Sequence, residues 1–168
     1  MHDPTPLSSA APSGDRLCDF LPRASVEQVV GTDSFEVEGG QVSRDSAGAL
    51  SGAGCRVAVD GDVVVSVKVD FMLGYAGSGF RDGLKDERYN QLPEDAGLGY
   101  SWIAKSGEDG PTTAEARLSR GDYIIETEVV GIVDGRDPEA DAVALAQQAG
   151  ETLEIPDTWT LPEAPPSR

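Results

Sequence analysis

The chain reads as an α+β domain. The expected form is a two-layer sandwich: a mostly antiparallel sheet of about five strands, with an N-terminal and a C-terminal helix packed on one face. Three observations predict it. Residues 56–59 and 63–71 are strand-like on either side of Asp60-Gly61, and Asp-Gly between such segments is a strong hairpin signal. Three more strand-like stretches follow between residues 98 and 133, separated by short turns, which makes neighbouring strands antiparallel. Helix punctuation stands at both ends, around residues 22–31 and 137–153. Segregated strands and helices of this kind give α+β layers.

Taken in order, residues 1–16 are rich in Pro, Ser, Ala and Gly without an apolar period, the composition of a flexible tether. Ser25 with Gln28 three residues later resembles a capping box, and Pro22 suits an earlier start. Val26, Val29 and Val30 supply the apolar stripe of this helix, and Gly31 the stop. Phe35 and Val37 fit a short strand, and the Gly/Ser/Ala-rich residues 39–54 a loop. In the second strand of the hairpin, Val63, Val65, Val67, Val69 and Phe71 share one face. Val64, Ser66, Lys68 and Asp70 share the other, as in a sheet buried on one side.

Gly74 to Gly79 reads as a breaker and residues 80–90 as a short helix, with Phe80, Leu84 and Tyr89 facing inward. Residues 98–104 form a strand with Tyr100 and Trp102 on one face. Ala114, Ala116 and Leu118 point inward from the next strand, and Glu115 and Arg117 outward. Arg120-Gly121-Asp122 reads as a tight hairpin turn rather than an adhesion motif. It leads into a strand over residues 123–133, with Tyr123, Ile125, Thr127 and Val129 on the core face. Asp137 is a good N-cap for the last helix, Pro138 fits its first position, and Glu139 and Asp141 favour its positive end. Val143, Ala146, Ala149 or Gly150, and Leu153 form its narrow apolar stripe, and Pro156 ends it. Residues 17–155 are thus one domain. Residues 156–168 are a Pro-rich tail in which only Trp159 and Leu161 could anchor.

Composition bounds the function. The formal charge is −17, which repels nucleic acid and anionic lipid and favours cations or basic partner patches. The preference for arginine over lysine fits a GC-rich genome or adaptation to high salt. No apolar run reaches the roughly 18 residues needed to span a bilayer. Met1-His2 does not open a signal peptide, which taken alone argues for the cytoplasm. The two cysteines argue otherwise. Cys18 and Cys55 are the only ones in the chain, one before the first helix and one at a strand start. A single disulfide between them would tie helix to sheet and place the chain in an oxidising compartment. The expectation is therefore an extracytoplasmic, processed form whose export signal and N-terminal lipid anchor have been removed.

Two stretches carry a resemblance. Cys18-Asp19-Phe20-Leu21-Pro22 precedes a helix ending Val29-Val30-Gly31. Arg120-Gly121-Asp122-Tyr123 leads through a strand to Gly135-Arg136-Asp137-Pro138-Glu139-Ala140-Asp141-Ala142. Both resemble an actinobacterial cell-envelope lipoprotein family of unknown function, in which a Cys-Asp-Leu-Leu-type start pairs with a later strand cysteine. The resemblance covers about residues 17–155. It implies export, a lipid anchor upstream of a tether, and no established chemistry. No lipid-acceptor cysteine precedes the tether here.

Candidate chemistry is sparse. His2 is the only histidine, so Ser–His and Cys–His pairs and histidine zinc sites are unavailable. Glu126 and Glu128 share a strand face, and a solvated outer sheet face explains them. Asp134, Asp137, Glu139 and Asp141 cluster before the last helix without the twelve-residue calcium-loop pattern. The Gly-x-x-Gly-x-Gly string from Gly74 lacks the Lys-Ser/Thr ending of a phosphate loop. Tyr75, Phe80, Arg81, Tyr100 and Trp102 are the candidate recognition surface, with core packing the competing role for Phe80 and Trp102. The chain is therefore expected to be a non-enzymatic binding domain, with no cofactor and no metal. Its expected partner is an envelope protein, or a small ligand held between sheet and helices. The alternatives are a carboxylate-dependent hydrolase and a structural accessory subunit of an envelope complex.

Overall fold

A computed structural model describes residues 3–72, 75–131 and 133–158, with the side chains of Tyr75 and Ala76 left out. A two-stranded ribbon, β1 (Arg16–Leu17) and β2 (Leu21–Pro22), leads into α1 (Arg23–Val30). Then come β3 (Glu36–Glu38), β4 (Val42–Arg44), β5 (Leu50–Val59), β6 (Asp62–Phe71), α2 (Tyr75–Lys85) and β7 (Asn90–Gln91). A 3-10 turn (Glu94–Ala96) precedes β8 (Leu98–Lys105), β9 (Thr112–Arg120), β10 (Tyr123–Val130) and α3 (Pro138–Thr152).

The fold is α+β, with three helices and a large antiparallel sheet. The sheet has eight strands rather than about five. Its order is β3-β5-β6-β10-β9-β8-β7, with β4 also on β5. Every pairing is antiparallel. The hairpin and the meander join because β10 inserts between β6 and β9. β3 falls where Phe35 and Val37 suggested a short strand, while β4 and β7 are only three and two residues long, too short to leave an alternating pattern.

The β5–β6 turn forms at Asp60 and Gly61, both with positive φ, as a two-residue hairpin turn requires. β5 begins at Leu50, well inside the stretch expected as a loop. Its small residues pass close under neighbouring backbone: a Cβ on Gly52 would meet the Val69 carbonyl at 3.2 Å. The segment expected as a breaker holds the first turns of α2, which starts at Tyr75 and carries Gly77, Gly79 and Gly83. Gly83 is there for contact, since a Cβ would strike the Tyr100 ring at 2.1 Å.

Two apolar clusters lie on opposite faces of the sheet. The larger joins Val26 and Val29 of α1 and Ala142, Leu145, Ala146 and Ala149 of α3 to Cys55, Val57, Val65, Val67, Val69, Leu118 and Ile125. Thr127 sits in that face and donates its hydroxyl to the Ala142 carbonyl at 2.6 Å, so its polar group is satisfied. The smaller cluster joins Phe80 of α2 to Met72, Tyr100 and Ile124. Asp137 caps α3 as expected, accepting from the Glu139 and Ala140 amides, and Pro138 is its first residue.

The disulfide Cys18–Cys55 is formed, with a Cα–Cα distance of 5.7 Å. It ties the β1–β2 turn to the middle of β5, not to a strand start. Residues 3–11, expected as part of a flexible tether, lie against α1 and α3. Leu7 packs on the larger cluster, and Gln28 and Gln148 donate to the carbonyls of Thr5 and Ser8. Of the tail, residues 156–158 are described, and Thr158 accepts from the Gly121 amide. Trp159 and Leu161 lie outside the described residues.

Candidate functional site

Register places the chemistry. Across β6, β10, β9 and β8 one outer-face row runs Lys68, Glu126, Arg117, Tyr100, and the next runs Ser66, Glu128, Glu115, Trp102. Alternation alone puts Glu126 with Glu128, and Tyr100 with Trp102, on one face of their strands. The consecutive hairpins of β8, β9 and β10 bring the two sets together, and the pairing of β10 with the distant β6 adds Ser66 and Lys68 to the rows.

The aromatic candidates meet here, but not as an exposed surface. Phe80 and Tyr100 are fully buried, their ring centroids 5.5 Å apart. Tyr89 stacks on Tyr100 at 5.0 Å with an interplanar angle of 7° and lies 4.6 Å from Trp102. Trp102 is half-buried at the margin of the stack, with the Arg117 guanidinium 5.4 Å from its ring centroid. Such ring and cation–π contacts each contribute about 0.5–1.5 kcal/mol beyond burial. Arg81 is half-buried on α2. Tyr75 opens α2, and its side chain lies outside the description. Phe80, Tyr100 and Trp102 are thus brought together. Tyr89 and Arg117 belong with them, and neither stood among the sequence candidates for recognition.

Beyond Trp102 the outer face is polar. Ser66, Lys68, Glu115, Arg117, Glu126 and Glu128 line a recess of about 120 Å³. Arg117 is its hub. It donates to the Tyr100 hydroxyl at 3.3 Å and pairs with Glu126 at 3.2 Å. Burial works against the Arg117 charge, yet Tyr100 and Glu126 leave its basicity raised. Burial also pushes the Tyr100 phenol up, against the opposing pull of Arg117. Glu115 is held above the usual carboxylate range, by burial first and by the facing Glu128 carboxylate second. Like charges directly opposite across a ladder are unfavourable.

The other candidates resolve into structural roles. Asp137 caps α3. Asp141 is paired with Arg136 at 2.6 Å, both side chains almost fully buried. Glu139 accepts from Asn90 at 2.7 Å and Ser101 at 2.6 Å. Arg120, from the tight turn, donates to the Ile155 carbonyl at 2.8 Å. Between α1, α3 and the sheet lies a concavity of about 190 Å³ lined by Val29, Val30, Val59, Val64, Val129 and Val130. A groove of about 580 Å³ runs between α3, β7 and the N-terminal segment. Among the described residues, neither lining contains an aromatic side chain.

No family model matches the chain, and neither a curated protein nor a solved structure matches it.

Proposed function

We propose that this chain is a non-enzymatic extracytoplasmic binding domain of the lipoprotein type, recognising an envelope protein partner through the uncovered part of its outer sheet face. The observation that carries this reading is the recess beside Trp102. There a half-buried indole borders carboxylates and cations aligned across three strands. The facing Glu115 and Glu128 would be relieved by a lysine or arginine arriving from a partner, and Trp102 offers a flat apolar edge beside them. The net charge of −17 would steer a basic surface toward the domain. A disulfide is compatible with an oxidising compartment, and the Cys-Asp-Phe-Leu start supports the envelope assignment. A small apolar ligand in the valine-lined concavity is the other occupant this reading allows.

The test is a charge reversal. Protein captured from membrane and wall extracts is identified, purified and titrated calorimetrically against the wild-type chain and the double variant Glu115→Lys, Glu128→Lys. The variant should bind at least about tenfold more weakly, as losing close interfacial charge pairs implies. Equal affinity would remove the recess from the interface.

A second reading rests on the raised Glu115 beside Glu128: a carboxylate pair poised as acid and base. Turnover of a glycoside or ester substrate, abolished by either Glu115→Gln or Glu128→Gln, would replace the binding reading with a hydrolase.

A further inference from the structure

The last helix is buried on two sides. Ala142, Leu145, Ala146 and Ala149 face the sheet cluster. Asp141, Ala144 and Gln148, spaced to share another face, are also buried, with 3%, 6% and 1% of their surface exposed. Residues 3–8 lie against this part of the molecule. This segment forms a strap, and the side chains of Arg136, Gln28 and Gln148 all donate to its main chain. Arg136 donates from Nη1 to the carbonyls of Asp3 at 2.5 Å and Thr5 at 3.0 Å. Gln28 Nε2 donates to the Thr5 carbonyl and Gln148 Nε2 to the Ser8 carbonyl, both at 2.7 Å.

The donors are fixed in advance. Asp141 grips the Arg136 guanidinium through two bonds, at 2.8 and 2.6 Å. Ser25 donates to Gln148 Oε1 at 2.6 Å, which aims the amide nitrogen at the strap. For stability alone, apolar residues of the same volume would serve as well as a buried ion pair, or better. An ion pair that leaves spare donors aimed at carbonyls suits the recognition of a backbone.

The strap is equally suited to being read. Pro4 and Pro6 confine Asp3 and Thr5 to extended backbone, and those are the residues whose carbonyls Arg136 takes. A proline has no N–H to leave unsatisfied, and a preformed extended segment loses little entropy on docking. Leu7 adds an apolar anchor.

We propose that Arg136, Gln28 and Gln148 form a binding site for extended, proline-containing peptides. Residues 3–8 fill it in cis, and an equivalent segment of a partner protein takes their place when the strap lifts. This site is separate from the outer sheet face and does not depend on the role assigned there.

The probe is a labelled synthetic peptide of residues 3–11, followed by fluorescence anisotropy. It is titrated against the full wild-type chain and the full chain carrying Leu7→Asp, which loosens the strap and leaves every donor of the site in place. A tethered segment competes at a roughly millimolar effective concentration. The peptide should therefore bind the Leu7→Asp chain saturably and at least about tenfold more tightly than wild type, with Gln148→Ala in the same background removing the gain. Equal binding to both full chains, or binding to neither, would overturn the proposal. Dimers of the Leu7→Asp chain by sedimentation, without peptide binding, would overturn it in favour of a contact between copies.

Discussion

Replacing Arg136 with methionine tests how the N-terminal end of α3 is held. The pair Arg136–Asp141 has side-chain exposures of 2% and 4%, so neither charge has water to fall back on. Methionine keeps much of the volume but leaves the Asp141 carboxylate buried without its two guanidinium bonds. Breaking a buried pair from one side costs about 3–5 kcal/mol. The Asp3 carbonyl loses its Arg136 donor and the Thr5 carbonyl keeps only Gln28, but these residues are exposed and water replaces the guanidinium at little cost. Arg136→Met should therefore lose about 3–5 kcal/mol of unfolding free energy. The double variant Arg136→Met, Asp141→Leu should recover most of that, because no charge is left stranded. Urea denaturation followed by circular dichroism gives both values. The two single losses should exceed the double loss by roughly 3 kcal/mol, the signature of direct coupling. A loss below about 1 kcal/mol for Arg136→Met, or additive losses, would refute the argument that this pair is closed to solvent.

Two further perturbations probe other parts of the fold. Cys18→Ser opens a loop with a sequence separation of 37, worth about 4 kcal/mol of chain entropy. The melting temperature should fall by roughly 8–16 °C for a chain of this size, and alkylation of the unreduced wild type should find no free thiol. An unchanged melting temperature or two reactive thiols would contradict the staple. Glu115→Gln should stabilise the protein at neutral pH. The folded state raises this carboxyl above its unfolded value, so it binds the proton more tightly than the unfolded chain does, and stability declines as pH rises through that range. Glutamine removes the cost of burying the charge and, with it, the repulsion by Glu128, which for facing like charges is about 0.2–1 kcal/mol. The gain should fade as pH drops toward the ordinary glutamate value near about 4, and a gain that persists there would mean that the ionised Glu115 carboxylate is not its source.

What the sequence disclosed follows the range of the interactions involved. Asp137-Pro138, Asp60-Gly61 and Gly31 act within a few residues of themselves, and the α3 cap, the hairpin turn and the α1 stop all lie where they point. Long alternation was legible as well, so Tyr123, Ile125, Thr127 and Val129 align as expected. The misreadings came where a distant neighbour overrides local preference. The glycines read as a break lie in the first turns of α2, a helix that Gly83 lets press onto Tyr100, and the small residues 52–54 form strand because β6 pairs with them. The Pro-rich start looked unstructured because its partners, Arg136 and Gln148, lie more than 130 residues away. At the site, Tyr100, Trp102, Glu126 and Glu128 could be placed on faces of their own strands. The pairs Glu115–Glu128 and Arg117–Glu126 follow from the register of the single β9–β10 hairpin, whereas Ser66 and Lys68 join those rows only because β10 pairs with the distant β6, which no single stretch encodes.

The short outer strands have a bearing on solubility at high concentration. An open sheet exposes unpaired backbone groups along its two edges, where another chain can add and begin to aggregate. Here β5 is screened by β3 and β4, two three-residue pieces with a break between them. β3 is Glu36-Val37-Glu38, so an approaching strand of another copy meets two carboxylates. At the opposite margin β7 covers β8 only from Tyr100 to Ser101, which leaves Ile103, 52% exposed, on the uncovered end of that strand. The two margins are therefore unequal. Replacing Glu36 and Glu38 with threonine would remove the electrostatic guard from the better-covered margin and leave both open to strand addition.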